Sequence, residues 1–380
     1  MKVVVAIDSL KGSLTSLEAG EAIREGILRA IPEAEVIVRP LADGGEGTVE
    51  ALTFGMGGQM ERVTVTGPLG TPVECAYGRV PSEKLAIVEM SAAAGITLVP
   101  EAERNPMHTT TYGVGEVIRH AIENGCRTFI VGIGGSATND GGAGMLQALG
   151  FGLLNGDGEQ IPFGAKGLRE LKTITAGHVI PELRDCTFRI ACDVTNPLCG
   201  ERGASAVYGP QKGATPEMVH QMDAWLERYA ALAKETFPEA DADFPGTGAA
   251  GGMGFAFRTF LGGRLNSGTR IVLDETHLED YVKDADFVIT GEGRLDEQTV
   301  MGKAPSGVAK IAKRHGRTVI AFSGSVTEDA AACNAKGIDA FFPILRSVVT
   351  LREAMDHETA RHNMVCTAEQ VFRLIRACKN

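Results

Sequence analysis

Thr128-Phe129-Ile130-Val131-Gly132-Ile133-Gly134-Gly135-Ser136-Ala137-Thr138-Asn139-Asp140-Gly141-Gly142-Ala143-Gly144 reads as an apolar strand running into a glycine-rich loop and then a helix. Six of the thirteen residues from 132 to 144 are glycine, with Ser, Thr, Asn and Asp set among them. Without Cβ atoms the loop amides can turn toward a bound anion. A helix beginning near Ala143 would aim its positive end at the same place. For a lone loop, a tight strand-to-helix turn explains the glycines equally well.

The pattern recurs. Strand-like Val36 to Leu41 leads into Ala42-Asp43-Gly44-Gly45-Glu46-Gly47-Thr48, and Asp286 to Thr290 leads into Gly291-Glu292-Gly293-Arg294-Leu295-Asp296-Glu297-Gln298-Thr299. All three loops combine glycine with carboxylate. Ligands of α/β proteins bind beyond the carboxyl ends of strands, so the three loops are expected to converge on one cleft.

Outward from these loops the texture changes twice. Residues 1–60 alternate strand and helix, with Leu17, Ala22, Ile23, Ile27 and Ala30 at helical spacing between Ser16 and Ala30. From Arg62 the chain alternates around a Gly67-Pro68 turn, as an antiparallel hairpin does, and after Asp280 the parallel βα pattern returns. The segmentation predicts two α/β domains. One is a doubly wound parallel domain built from residues 1–62 and 281–380, and the other is an inserted mixed α/β domain of residues 63–280, with the active site in the cleft between them. Two sequential domains are the alternative.

Composition narrows the function. A chain of 380 residues is long for one core. Its 48 glycines stand at strand ends without a repeating period, which excludes collagen-like and low-complexity readings. The net charge of −11, with no long basic run, argues against nucleic acid and anionic membrane as partners. A phosphate ligand would then need local Lys, Arg and backbone N–H groups, with a divalent cation to shield it from the carboxylates. The N-terminal run Val3 to Ile7 is too short for a signal core, no stretch approaches a membrane span, and the eight cysteines are scattered, so a cytoplasmic protein with reduced, mostly buried thiols is expected. His357 and His362 are five apart and point to different helix faces, which disfavours zinc.

Three classes of function remain. Gly132 to Ala137 satisfies G-x-G-x-x-A, the mark of an NAD(P)-dependent dehydrogenase, but the loop continues through Gly142 before a helix can form. A phosphotransferase would use all three loops, without a Walker A motif, since Lys303 is followed by Ala304. A non-catalytic small-anion binding protein is the third, and the many carboxylates count against it.

Within the phosphotransferase reading, Lys11, Asp43, Asp193 and Arg294 are the candidate catalytic groups: cations for the transferring phosphate, carboxylates for the acceptor hydroxyl or a metal. Ser9, Gly44, Gly45, Gly134, Gly135, Ser136, Thr138, Asn139, Gln211, Lys212, Gly291 and Gly293 are candidate substrate or phosphate contacts. Glu46, Asp140, Glu292 and Asp296 are candidate metal ligands. Met218, Met222, Trp225 and Leu226 are expected to form the buried stripe of a helix.

The chain resembles the type 1 glycerate kinase family at Asp8-Ser9-Leu10-Lys11-Gly12-Ser13-Leu14, Ala42 to Thr48, Gly132 to Gly144, Ala191 to Leu198, Gly209 to Ala214, Gly248 to Gly254 and Ile289 to Arg294. These stretches span nearly the whole chain. Ile7 and Leu10 depart from the commoner proline and aromatic without removing a chemical group. The resemblance implies a flavodoxin-like domain with an inserted second domain, ATP and Mg²⁺, D-glycerate as acceptor, and 2-phosphoglycerate as product. Residue spacing alone does not separate transfer to the 2-hydroxyl from transfer to the 3-hydroxyl, and it leaves the assembly state open, a homo-oligomer included.

Overall fold

The computed structural model describes residues 1–39, 41, 47–297, 299 and 303–379 of the 380-residue chain. Two compact units emerge, Met1–Met56 with Thr269–Asn380, and Gly57–Gly268. Among the described residues the strands are, in chain order, β1 (Lys2–Val5), β2 (Glu35–Val38), β3 (Gln59–Thr66), β4 (Pro72–Val80), β5 (Leu85–Glu89), β6 (Thr128–Gly132) and β7 (Gly152–Leu154). They continue with β8 (Thr173–Thr175), β9 (Thr187–Ala191), β10 (Arg264–Asn266), β11 (Phe287–Leu295), β12 (Thr318–Val326) and β13 (Ala340–Pro343).

The first unit holds a parallel sheet in the order β13-β12-β11-β1-β2. Counted within the unit this is the flavodoxin-like order, and the winding reverses between β1 and β11, where the strand ends open a crevice. Val3, Val4, Val5, Val288, Ile289 and Val319 are wholly buried, as strands covered on both faces require. The helix Ser16–Ala30 begins with a capping box: the Glu18 N–H donates to Thr15 Oγ1 while the Thr15 N–H donates to the Glu18 carboxylate. Its Ile23 and Ile27 share a core with Met364, Ala368 and Phe372 of the C-terminal helix His357–Lys379.

Gly291 to Arg294, expected from the sequence as loop, instead continue the strand, because β12 runs beside them with Gly291 opposite Phe322, Glu292 opposite Ser323 and Arg294 opposite Ser325. Gly291 makes that approach possible: its φ is +152°, and a Cβ there would lie 1.8 Å from the Phe322 carbonyl oxygen. Gly291→Ala is therefore expected to cost about 2–4 kcal/mol. Gly293→Ala, where the nearest atom would be 3.6 Å away, should unfold close to wild type. Urea midpoints of the two variants test this; equal midpoints would remove the steric account.

The second unit carries a sheet ordered β10-β9-β6-β5-β4-β3, in which β5, β6, β9 and β10 are parallel and β3 and β4 form an antiparallel hairpin. The hairpin closes by a Gly67 N–H to Thr71 O bond of 2.7 Å. Phe129 and Phe188 stack at 4.9 Å in its core. The helix Pro216–Thr236 buries Met222, Leu226, Tyr229 and Ala233, while Met218 and Trp225 are only half-buried, so the buried stripe lies further along the helix than the sequence suggested. All eight cysteines are free thiols, but only Cys75, Cys126 and Cys333 are buried. Among the described residues no helix is long and apolar enough to cross a membrane.

Candidate active site

In the first unit a cavity of about 430 Å³ opens over the ends of β1, β11 and β12. Past Val5 the chain keeps company with β11: the Ala6 N–H donates to Ile289 O at 2.7 Å and the Asp8 N–H to Gly291 O at 2.9 Å. Asp8 is thereby set at the strand end with 5% exposure, and its Oδ1 accepts the Ser9 N–H at 2.7 Å. Leu10 and Leu14 then bridge a tight loop with Lys11 exposed at its tip. Ser16 Oγ, donating to Ile7 O and accepting from Leu41 N–H, anchors the first turn of the helix Ser16–Ala30 beside that loop.

Across the cavity, Glu292 stands between two glycines within β11. Its Oε1 accepts the Thr299 hydroxyl at 2.7 Å, and Lys303 Nζ stands 3.6 Å from its Oε2 and 3.9 Å from Asp296 Oδ1. Burial raises the Glu292 carboxyl above its ordinary range, against the opposing pull of the Thr299 hydroxyl and Lys303. Arg294 is held only loosely, its Nε 3.8 Å from Asp296 Oδ2 and its side chain 66% exposed.

Six sequence candidates therefore line one cavity: Ser9, Lys11, Glu292, Gly293, Arg294 and Asp296. Gly291 lies buried in the ladder beside it. Sequence reasoning passed over Asp8, Lys303 and Ser325, which share the lining. Asp8 had a signal, since it is a carboxylate just past the apolar run Val3 to Ile7; Lys303 entered the sequence reading only through the missing Walker A motif. Asp43, Gly44, Gly45 and Glu46 lie outside the described residues.

The second unit presents its own strand ends on one edge, with Glu89, Gly132, Ala191 and Asn266 in register. Gly134 and Gly135 are exposed there. Residues 133–142 separate β6 from the helix Ala143–Ala148, so the helix starts beyond the dinucleotide fingerprint. Asp193 is exposed just after β9, and its Oδ1 accepts the Gly268 N–H at 3.1 Å. Gln211 is exposed as well.

The remaining loop candidates turn inward. Ser136 is 7% exposed, and Thr138, Asn139 and Asp140 are fully buried. Asp140, expected on a metal, accepts from the Thr111 N–H and hydroxyl and from the Gly142 and Gly144 N–H groups. It organises the helix start, with a carboxyl raised by burial. Asn139 Nδ2 donates to Ser205 Oγ at 2.9 Å. Lys212, expected on phosphate, is 2% exposed and donates to Ser136 Oγ at 2.7 Å and Thr138 O at 2.6 Å, pinning the loop from beneath. A lysine in Pro-Gln-Lys-Gly reads as a surface turn; only tertiary packing buries it.

Burial lowers the Lys212 ammonium to about 7. An unfolded lysine binds its proton up to about pH 10.4, so between these values the unfolded state holds a proton that the folded state lacks. Stability should then rise with pH, by up to about 1.4 kcal/mol per unit relative to Lys212→Met. Urea unfolding of both proteins at pH 7, 8 and 9 measures the difference; a flat one would return Lys212 to an ordinary pKa.

Among the described residues no group of three or more His, Cys, Asp or Glu stands together as a metal site. Glu292 and Asp296, two hard oxygen donors bridged by an ammonium, nonetheless fit Mg²⁺, which takes one or two carboxylates and completes its shell with substrate phosphates and water.

Comparison with known proteins agrees across the full length. A glycerate kinase from Haemophilus influenzae is 48% identical, covering 99% of both chains, and a glycerate 2-kinase from Escherichia coli K12 is 46% identical, covering 97% of this chain and 96% of the relative. The crystal structure of a protein assigned as glycerate kinase 2 from Salmonella typhimurium LT2 superposes with a TM-score of 0.92 at 47% identity, covering 100% of this chain and 99% of that one. The glycerate kinase family model itself matches residues 3–376, which takes in the β1 loop, the glycine loop and the β11 carboxylates alike, and the chain belongs to the glycerate kinase family.

Proposed function

We propose that the chain transfers the terminal phosphoryl group of ATP to the 2-hydroxyl of D-glycerate, with the reacting phosphates in the β1/β11 cavity. The observation that carries this reading is the lining itself, where Lys11 and Arg294 face the same space as Glu292 and Asp296. Phosphoryl transfer demands little covalent chemistry of a protein; it demands fixed cations, a metal held by carboxylate and a positioned hydroxyl.

Lys11 offers a point charge to the phosphates and Arg294 a planar fork of donors. Mg²⁺, held by Glu292 and Asp296, would supply charge neutralisation at the transferring group. Asp8, nearly buried at the strand end, orients the acceptor hydroxyl. Transfer is direct, without a phosphorylated protein intermediate.

An ADP-release assay with Mg-ATP tests the reading, comparing D-glycerate, L-glycerate, glycerol and no acceptor, with enolase added to convert a 2-phosphate to phosphoenolpyruvate. D-glycerate-dependent release with conversion is the expected result. Release without conversion would move the transfer to the 3-hydroxyl, and no acceptor-dependent release across several divalent metals would refute the kinase.

A further inference from the structure

We propose that the aliphatic wall of the β1/β11 cavity, formed by Ile344, Leu345, Leu351 and Met355, seats the purine base of the nucleotide. The cavity then holds the nucleotide along its length, and the acceptor hydroxyl meets only its phosphate end, beside Asp8; the assignment rests on the kinase reading. Leu345, Leu351 and Met355 are 40%, 76% and 39% exposed, although each lines a cavity whose opposite side is charged. Large apolar side chains gathered at a cavity wall and left open to water mark a ligand surface.

Sheet order sets the shape of that ligand. The charged groups follow β1 or stand at and beyond the carboxyl end of β11, whereas Ile344 follows β13 at the far edge, two strand spacings or about 10 Å from β11. The occupant must be elongated, anionic at one end and flat and apolar at the other. A nucleoside triphosphate has that form. Glycerate, three carbons bearing a carboxylate and two hydroxyls, has no surface to cover such a wall.

The wall is also preformed. The Ile344 N–H donates to Ser323 O at 2.8 Å, continuing the β12–β13 edge. A capping box between Thr350 and Glu353 fixes the turn Leu351–Ala354. Met355 packs over the Lys11 loop so closely that a Cβ on Gly12 would lie 2.7 Å from its Cε. The base is met by a surface already in place, next to the loop that carries Lys11.

Leu351→Asp is the test. Leu351 is the first residue of a capped turn and mostly exposed, so an aspartate there suits the helix start and leaves the fold intact. Its Kd for ADP and KM for ATP are expected to rise about tenfold, with the KM for D-glycerate changed less than twofold. Inhibition by inorganic tripolyphosphate, which has no base, should be unchanged. Val348→Asp, on the same segment but outside the lining, controls for surface charge and should match wild type. An unchanged Kd for ADP would overturn the assignment, and so would a rise in the KM for glycerate instead. ADP binding that weakens in Leu351→Asp, in a protein that never phosphorylates glycerate, would sink the kinase reading alone; full glycerate kinase activity with no effect of Leu351→Asp would sink the base seat alone.

Discussion

Arg294→Met is expected to lower kcat for glycerate phosphorylation about a thousandfold while leaving the unfolding midpoint near wild type. A guanidinium aimed at a transferring phosphoryl group is worth roughly 10³–10⁵ in rate, because it meets charge that develops only in the transition state. Its contribution to the fold is small. The side chain is 66% exposed and its pairing with Asp296 is long, at 3.8 Å, so the ion pair contributes under about 1 kcal/mol. Arg294→Lys keeps the charge and loses the planar fork, and should recover only part of the rate. Lys11→Met, which removes a point charge from a loop tip, is expected to lose about a hundredfold. Steady-state kinetics with thermal unfolding on the same preparations check the set. A kcat for Arg294→Met within threefold of wild type would make Arg294 a surface partner of Asp296 and nothing more.

Much of this site was legible in the sequence because it is local. Asp8 to Leu14 and Gly291 to Asp296 each place charges within a few residues of a strand end, and a parallel sheet brings strand ends together by rule. The parallel texture of the two chain ends was legible for the same reason, through unbroken runs such as Val3 to Ile7 and Val319 to Phe322. What stayed hidden depends on distant partners. Whether Gly291 to Arg294 is loop or strand is decided by β12, whose residues pair with them from across the helix Ala304–Arg314. The aliphatic wall comes from residues 344–355, which carry no motif and acquire meaning only beside the Lys11 loop. The burial of Lys212 and Asp140 was invisible because both types are ordinarily solvated. Folding brings both under the glycine loop, where each donates to or accepts from its backbone.

Glu292→Gln should lower kcat by about 10²–10³ and, at neutral pH, leave the protein at least as stable as wild type. The two effects have one origin. Burial raises the Glu292 carboxyl, with the Thr299 hydroxyl and Lys303 pulling the other way, so the folded state takes up the proton more readily than the unfolded state does. The stabilisation linked to that proton is complete below the unfolded value of about 4.3 and is lost as pH rises through the raised folded value. At neutral pH the ionised carboxylate is thus a cost to folding that an isosteric amide relieves. In the proposed role as a Mg²⁺ ligand, activity has the opposite sign, since only an ionised carboxylate would hold the metal: kcat should fall as pH drops through the raised value. In Lys303→Met, which deletes the cation 3.6 Å from Glu292, that acid limb should move to higher pH, and in Glu292→Gln it should disappear. The pH dependence of kcat for the three proteins, with urea unfolding at pH 7, decides the matter. A Glu292→Gln protein that loses stability along with activity would show the carboxylate to be a strut at the end of β11, and an acid limb unmoved by Lys303→Met would take Lys303 out of the site's electrostatics.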